Sequence, residues 1–220
     1  MSPLAVILFL RVPEKGLVKT RLSRGLDEHF VLELYKAFVQ DALVVLQSFE
    51  SRFLFFWPPG KKQRLVQWLG DDYTFMGQYG DTIGEKMANA FEVVFEKGFE
   101  QILLIGTDIP EISEEILIRA GQALGRTDAV IGPCRDGGYY LIGFTKSAFS
   151  KRSFQGINWS SSKVLVQTME ALKKQSIQYE LLDELDDIDT LDDLSALNIR
   201  VSQGKSVGSH TLAVLTSHDD

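Results

Sequence analysis

The stretch from Gln101 to Glu115, QILLIGTDIPEISEE, limits the possible fold more than any other part of the chain. Ile102-Leu103-Leu104-Ile105 is a short, unbroken apolar run that follows the helix stop Lys97-Gly98 and ends abruptly at Gly106-Thr107-Asp108. Continuous rather than alternating apolarity predicts a strand buried on both faces, as in a parallel sheet covered by helices. Pro110 and then Ser113-Glu114-Glu115 predict a loop entering a new helix, with a hydroxyl cap and acids at its positive end. Asp108 then stands just past the carboxyl end of a central strand, where open α/β sheets bind ligands. A carboxylate in that place can also do no more than satisfy loop backbone donors.

Other segments extend the same alternation. Leu4–Leu10 (LAVILFL) reads as a second buried strand, Arg52–Trp57 (RFLFFW) as a third stopped by Pro58-Pro59-Gly60, and Tyr73–Met76 as a weaker one. Asp27 can cap a helix whose apolar positions Val31, Leu34, Phe38, Ala42, Val45 and Phe49 recur at three- to four-residue spacing. Ile83, Met87, Phe91, Val94 and Phe95 mark the core face of another helix, before Gly98. Ala129–Gly132 enters the turn Asp136-Gly137-Gly138 and leaves through the β-prone Tyr139–Phe144, which predicts a hairpin added to the sheet. Ser160–Ser162 can cap a helix carrying Val164, Leu165, Thr168 and Leu172, and Ile177–Leu182 is a late strand. The pattern is an α/β fold with a mostly parallel sheet and helices on both faces.

The chain has 220 residues, enough for one such domain over residues 1–200. Residues 201–220 lack periodicity and are expected to be a C-terminal tail. A formal charge of −7 argues against a general nucleic-acid or membrane-surface binder. A lone cysteine, Cys134, excludes an internal disulfide framework and fits a reducing cytoplasm. Leu4–Leu10 is too short for a membrane span and runs into Arg11-Val12-Pro13 with no basic segment before it, unlike a signal peptide. A cytoplasmic protein is expected.

The candidate chemistry comes from carboxylates and a cationic loop. RVPEKGLVKTRLSRG places Arg11, Lys15, Lys19, Arg21 and Arg24 after the first strand, where cations and backbone donors can converge on a phosphate. It lacks the spacing of both the P-loop and the Rossmann turn. DELDDIDTLDDL carries seven acids between Asp183 and Asp193, and Thr190-x-x-Asp193 has capping-box character, so Asp189 stands immediately before a helix start. A solvated acidic loop is the plain alternative. Trp159 is either a core anchor or a lid over a ring. The three histidines are scattered, and neither zinc spacing nor a serine nucleophile motif is present. Carboxylates at strand ends beside a cationic loop suit Mg²⁺ or Mn²⁺ holding a nucleotide's phosphates. Two ionised carboxylates about 4 Å apart repel by roughly 4 kcal/mol at an effective dielectric of 20, and a shared cation turns that into attraction.

Taken together, RVPEKGLVKTRL, GDTIGEKM, LLIGTDIP, GPCRDGGYYLIGF, FQGINWSSSKVLVQT and DDIDTLDDL resemble, in this order, a bacterial family of uncharacterised glycosyltransferase-like proteins. That family lies in the nucleotide-diphospho-sugar transferase superfamily, and the resemblance spans about residues 4–198. It implies the glycosyltransferase-A fold, a three-layer α/β/α sandwich whose mostly parallel sheet carries an antiparallel hairpin. It implies that Asp108 is a metal-binding, catalytic carboxylate and Asp189 a second metal ligand. Lys19 and Arg21 match the phosphate-facing loop, joined on the nucleotide side by Arg11, Glu85, Lys86 and Thr107. Asp136, Gly137, Gly138 and Trp159 fall on the sugar or acceptor side. Arg11 replaces a lysine usual before the first proline, which preserves charge. GDTIGEKM differs from the commoner GDLGERM by one extra residue and by Lys86 for arginine, and lysine lacks arginine's bidentate fork.

The superfamily contains more than one reaction. The leading expectation is divalent-cation-dependent transfer of a sugar from a nucleotide-sugar donor to a small-molecule or unknown acceptor, with Asp136 as a candidate base. One alternative is nucleotidyl transfer from a nucleoside triphosphate to a phosphorylated small molecule with release of pyrophosphate. Another is a non-catalytic nucleotide-binding module.

Overall fold

The computed structural model of the protein describes residues 4–218. Its strands are β1 (Leu4–Arg11), β2 (Arg52–Trp57), β3 (Thr74–Gly77), β4 (Gln101–Ile105), β5 (Ala129–Pro133), β6 (Tyr139–Thr145) and β7 (Tyr179–Leu181). They form one sheet in the order β3-β2-β1-β4-β6-β5-β7. Pairing is parallel from β3 through β4 and again between β5 and β7. β6 alone runs antiparallel, between β4 and β5. The expected mostly parallel sheet with a hairpin is the observed one.

The described residues form seven α-helices around the sheet or on its helical layer: α1 (Glu28–Val45), α2 (Lys62–Leu69), α3 (Ile83–Glu96), α4 (Glu114–Leu124), α5 (Val164–Lys174), α6 (Leu191–Ser202) and α7 (Ser209–His218). The alternation along β1 shows why its run is apolar throughout. Val6, Leu8 and Leu10 pack into a core shared with α1, α2 and α4, while Ala5, Ile7 and Phe9 pack into a second core with α3 and α5. Helix starts follow local chemistry. The Asp27 carboxylate accepts from the N–H groups of His29 and Phe30 at 2.8 and 3.1 Å, and the Ser113 hydroxyl accepts from Ile116 at 3.4 Å. α1 ends at Val45 and passes into a 3-10 turn, so Phe49 lies beyond the helix.

The connections set the position of the site. From β1 the chain moves through α1, β2 and α2 to the edge strand β3. It then crosses the opposite face in α3 and re-enters beside β1 as β4. The strand order therefore reverses between β1 and β4, which opens a crevice at their carboxyl ends.

The expected C-terminal tail is corrected by the structure. α6 runs to Ser202, and α7 lies against α1 with Leu215 only 6% exposed. Leu215 joins Leu22, Val31, Leu34, Phe38, Ile188, Leu194 and Leu197 in a third apolar cluster on the outer side of α1. The helix start is held by Asp41 of α1, whose carboxylate accepts from the N–H groups of His210 and Thr211 at 3.0 and 2.8 Å. Gly208 approaches Asp41 so closely that no side chain fits there. No helix among the described residues is long and apolar enough to cross a membrane.

Candidate active site

A cleft of about 880 Å³ opens at the carboxyl ends of β1 and β4. Arg11 and Trp57 stand side by side in the β1–β2 register and form one wall. The Tyr35 hydroxyl fixes the end of β1 by accepting from the Arg11 N–H at 2.7 Å and donating to the Arg11 carbonyl at 3.0 Å. Burial pushes the Tyr35 phenol up, and the nearby charge of Asp108 pushes it further.

Lys19 is the centre of the site. Its ammonium lies 2.8 Å from Asp108 and 2.7 Å from Asp189. The lysine side chain is 4% exposed, whereas the two carboxylates are 46% and 38% exposed and face the cleft. Burial alone would lower the Lys19 pKa, but attraction to Asp108 and Asp189 outweighs it and holds the group above the ordinary lysine range. Burial likewise acts to raise Asp189, and the charge and hydrogen bond of Lys19 overcome it, leaving Asp189 below the usual aspartate value. Arg21 approaches Asp189 at 3.8 Å from a largely exposed position.

Backbone contacts bring these distant positions together. The Ile188 N–H donates to the Asp108 carbonyl at 3.0 Å, and Ile188 is fully buried. Its burial anchors the segment, with Asp189 sharing the Lys19 ammonium with Asp108 of the β4 loop and Asp187 beside Asp136 of the β5–β6 turn. The Asp193 carboxylate accepts from the N–H groups of Asp189 and Thr190 at 3.1 and 2.7 Å, completing a capping box that fixes Asp189 at the start of α6. Lys19 reaches the pair from a left-handed backbone (φ +47°), a conformation that side-chain-bearing residues rarely hold without support from their surroundings. Thr107 lies beside this group, 3.4 Å from the Asp108 carboxylate.

The other predicted residues divide. Lys86 lines the cleft with its ammonium 3.6 Å above the Trp57 ring; burial lowers its pKa, and Arg11 lowers it further. Glu85 is outside the cleft lining. Its carboxylate accepts from the Asp81 N–H at 2.8 Å and its own N–H donates to Thr82, so it caps α3. Asp136, Gly138 and Trp159 line an adjoining chamber of about 560 Å³, which shares Asp189 and Trp159 with the first. The Asp136 carboxylate accepts from the Gly138 N–H at 2.7 Å. Gly137 has φ +90° and presses against the Ser162 backbone, while its carbonyl accepts from Leu165 at 2.8 Å. Trp159 is half-buried, stacked on Phe154 and laid across Gly84.

Several residues were not anticipated. Asp187 is pushed up to about 6, first by burial and then by Asp136 and Asp189. Its carboxylate, that of Asp136 and the Cys134 sulfur lie within 4.8 Å of one another. Gln78 donates to the carbonyls of Phe55 and Leu10 at 2.8 and 3.4 Å, which leaves its carbonyl oxygen as an acceptor in the cleft wall. Trp57 could have been found by the strand-end rule that picked out Asp108.

The model of the family described as "Uncharacterized protein conserved in bacteria (DUF2064)" matches residues 42–161. Among solved structures, a protein from Desulfovibrio desulfuricans G20, provisionally named a nucleotide-diphospho-sugar transferase, is 34% identical with a TM-score of 0.93. The match covers 100% of this chain and 96% of that one. CMP:2-keto-3-deoxy-manno-octonic acid synthetase, solved with CTP, shares the fold at 11% identity and a TM-score of 0.52, over 92% of this chain and 99% of that one. A Mycobacterium tuberculosis H37Rv protein solved with manganese does so at 16% identity and a TM-score of 0.50, over 90% and 98%. No curated protein matches the sequence. The chain belongs to the bacterial DUF2064 family, within the nucleotide-diphospho-sugar transferase superfamily.

Proposed function

We propose that the protein is a transferase that moves a sugar from a nucleotide-diphospho-sugar donor to a small acceptor with the help of a divalent cation. The observation that carries this reading is the pair Asp108 and Asp189 sharing one ammonium in a cleft walled by Arg11, Lys86 and Trp57. The Lys19 ammonium is a stand-in for a cation: both carboxylates already reach a single positive centre. Mg²⁺ or Mn²⁺ suits that donor set, because such ions take one or two carboxylates and complete the shell with phosphate and water. When bound, the ion supplies electrophilic stabilisation of a departing diphosphate.

The chain's own groups then have separate tasks. Asp108 and Asp189 hold the cation. Arg11, Lys19, Arg21 and Lys86 neutralise phosphate charge, and Thr107 offers a hydroxyl beside them. We assign Asp136, which lines the adjoining chamber with Gly138 and Trp159, to take a proton from an acceptor hydroxyl, with Gly137 shaping the turn. Glu85 drops out of the phosphate set because it lines neither cavity and its carboxylate serves the start of α3.

Thermal unfolding with Mn²⁺ tests the reading. Nucleotide-sugars should raise the transition temperature, since a ligand that binds only the folded state stabilises it. Asp108→Ala should abolish the metal-dependent part. A second reading, nucleotidyl transfer, is favoured by the fold shared with the CTP-bound synthetase and by several cations on one cleft. A requirement for a nucleoside triphosphate with release of pyrophosphate would select it. Binding that ignores metal and nucleotide alike would remove both.

A further inference from the structure

We infer that Lys19 is the resident counter-cation of the Asp108–Asp189 pair, and that a divalent cation enters only by displacing its ammonium, so that metal entry and the release of Lys19 to an incoming phosphate form one exchange. The inference rests on the metal-dependent reading above and deepens it.

Three observations support it. The ammonium touches both carboxylates at 2.7–2.8 Å, the position from which a metal would also have to draw them together. The exposures are inverted: the carboxylates open to the cleft, while the lysine side chain is 4% exposed and closes the gap from the protein side. The backbone of Lys19 sits at φ +47°, so the cluster holds the lysine in a strained arrangement that it can leave when its partners are taken. Arg21 is a poor replacement, since it contacts only Asp189, at 3.8 Å, from a side chain 68% exposed.

The consequence is linkage. Two cations that compete for the same two carboxylates exclude each other, so the occupied state of Lys19 lowers metal affinity by the fraction of molecules in which the site is closed. A diphosphate in the cleft offers the freed ammonium a new anion. Metal and phosphate ligand should therefore assist each other's binding, each by the same factor.

Mn²⁺ alone is the probe. Its affinity is measured by electron paramagnetic resonance for the wild-type protein, Lys19→Met and Asp108→Asn, without nucleotide. Lys19→Met should bind Mn²⁺ at least about tenfold more tightly than wild type. In parallel, acetylation of wild-type Lys19 is read by mass spectrometry with and without Mn²⁺, against the exposed Lys15 as reference. Lys19 labelling should rise several-fold with the metal, a measurement that stands even if Lys19→Met fails to fold. Equal or weaker binding by folded Lys19→Met, or labelling indifferent to Mn²⁺, overturns the exchange. If Mn²⁺ still binds wild type and is lost in Asp108→Asn, the metal-dependent reading survives that failure. If no protein binds Mn²⁺, both fall.

Discussion

Gly137 and Glu14 illustrate how single side chains, or their absence, hold the turns and loops that follow the strands. A methyl group at Gly137 would strike the Ser162 backbone, and the left-handed φ of +90° penalises any side chain there. Gly137→Ala should therefore cost about 2 kcal/mol or more in urea denaturation, because neither backbone can yield cheaply. An unchanged midpoint would mean that the turn is looser than its geometry. Glu14 ties the loop after β1 to α2 through Lys61 at 2.6 Å and Arg64 at 2.8 Å. The Lys61 hydrogen bond lowers the Glu14 pKa against the opposing effect of burial, and both cations add to it. A lowered carboxylate stabilises the fold above its unfolded pKa near 4.5 and loses that contribution as pH falls through the folded value. Glu14→Gln should thus melt earlier than wild type at about pH 7, by an amount worth about 0.5 kcal/mol, and the gap should shrink as pH falls below 4.5 and through the folded value. A gap that persists in acid would point to packing rather than charge.

The acidic segment before α6 acts as a unit, and it marks how far local reasoning reaches. Strands, caps and Asp108 were legible because each is encoded within a few residues: an unbroken apolar run, a hydroxyl or carboxylate before a helix, an acid after a strand. The position of Asp189 before α6 was legible for the same reason, through the capping box beside it, whereas its meeting with Asp108 followed only from the family resemblance. Asp187 was not, because seven neighbouring acids look alike until one knows which turn inward. That choice depends on Ile188 entering the third core cluster and on Leu185 pairing with Cys134, both tertiary events. The lone isoleucine within the acidic run was the available signal. Glu85 erred in the other direction, since a carboxylate in a glycine-flanked loop looks like a ligand group and is a helix cap. The unit can be tested at its hinge. Thr190→Ala removes the hydroxyl that accepts from Asp193 and should cost about 1 kcal/mol. Since the same box holds the Asp189 backbone, Mn²⁺ affinity should weaken as well. Lost stability with unaltered Mn²⁺ binding would separate Asp189 from the cap and from the cation site.

The two faces of the sheet and the outer layer on α1 have different duties. The cores under α1, α2, α3, α4 and α5 hold β1 and β4 in place and so define the cleft, whereas α7 contributes no residue to its lining. The outer layer was illegible because α7 shows only a narrow apolar edge: Leu215 is buried, but Leu212 is 41% exposed. Its helix start is capped from another element, by Asp41, a contact that no reading of the neighbouring residues reveals. The corresponding clue was a carboxylate within the apolar pattern of α1. Asp41→Ala would leave two helix-start N–H groups, that of Thr211 in a buried residue, without their acceptor, at a cost of about 1–2 kcal/mol. Because α7 carries few buried contacts of its own, the loss should appear first as local opening. Hydrogen exchange should accelerate across residues 209–217 while β4 keeps its protection, and Mn²⁺ affinity should match wild type. If β4 lost protection in step with α7, the outer layer would be part of the cleft's support and not a separable buttress on α1.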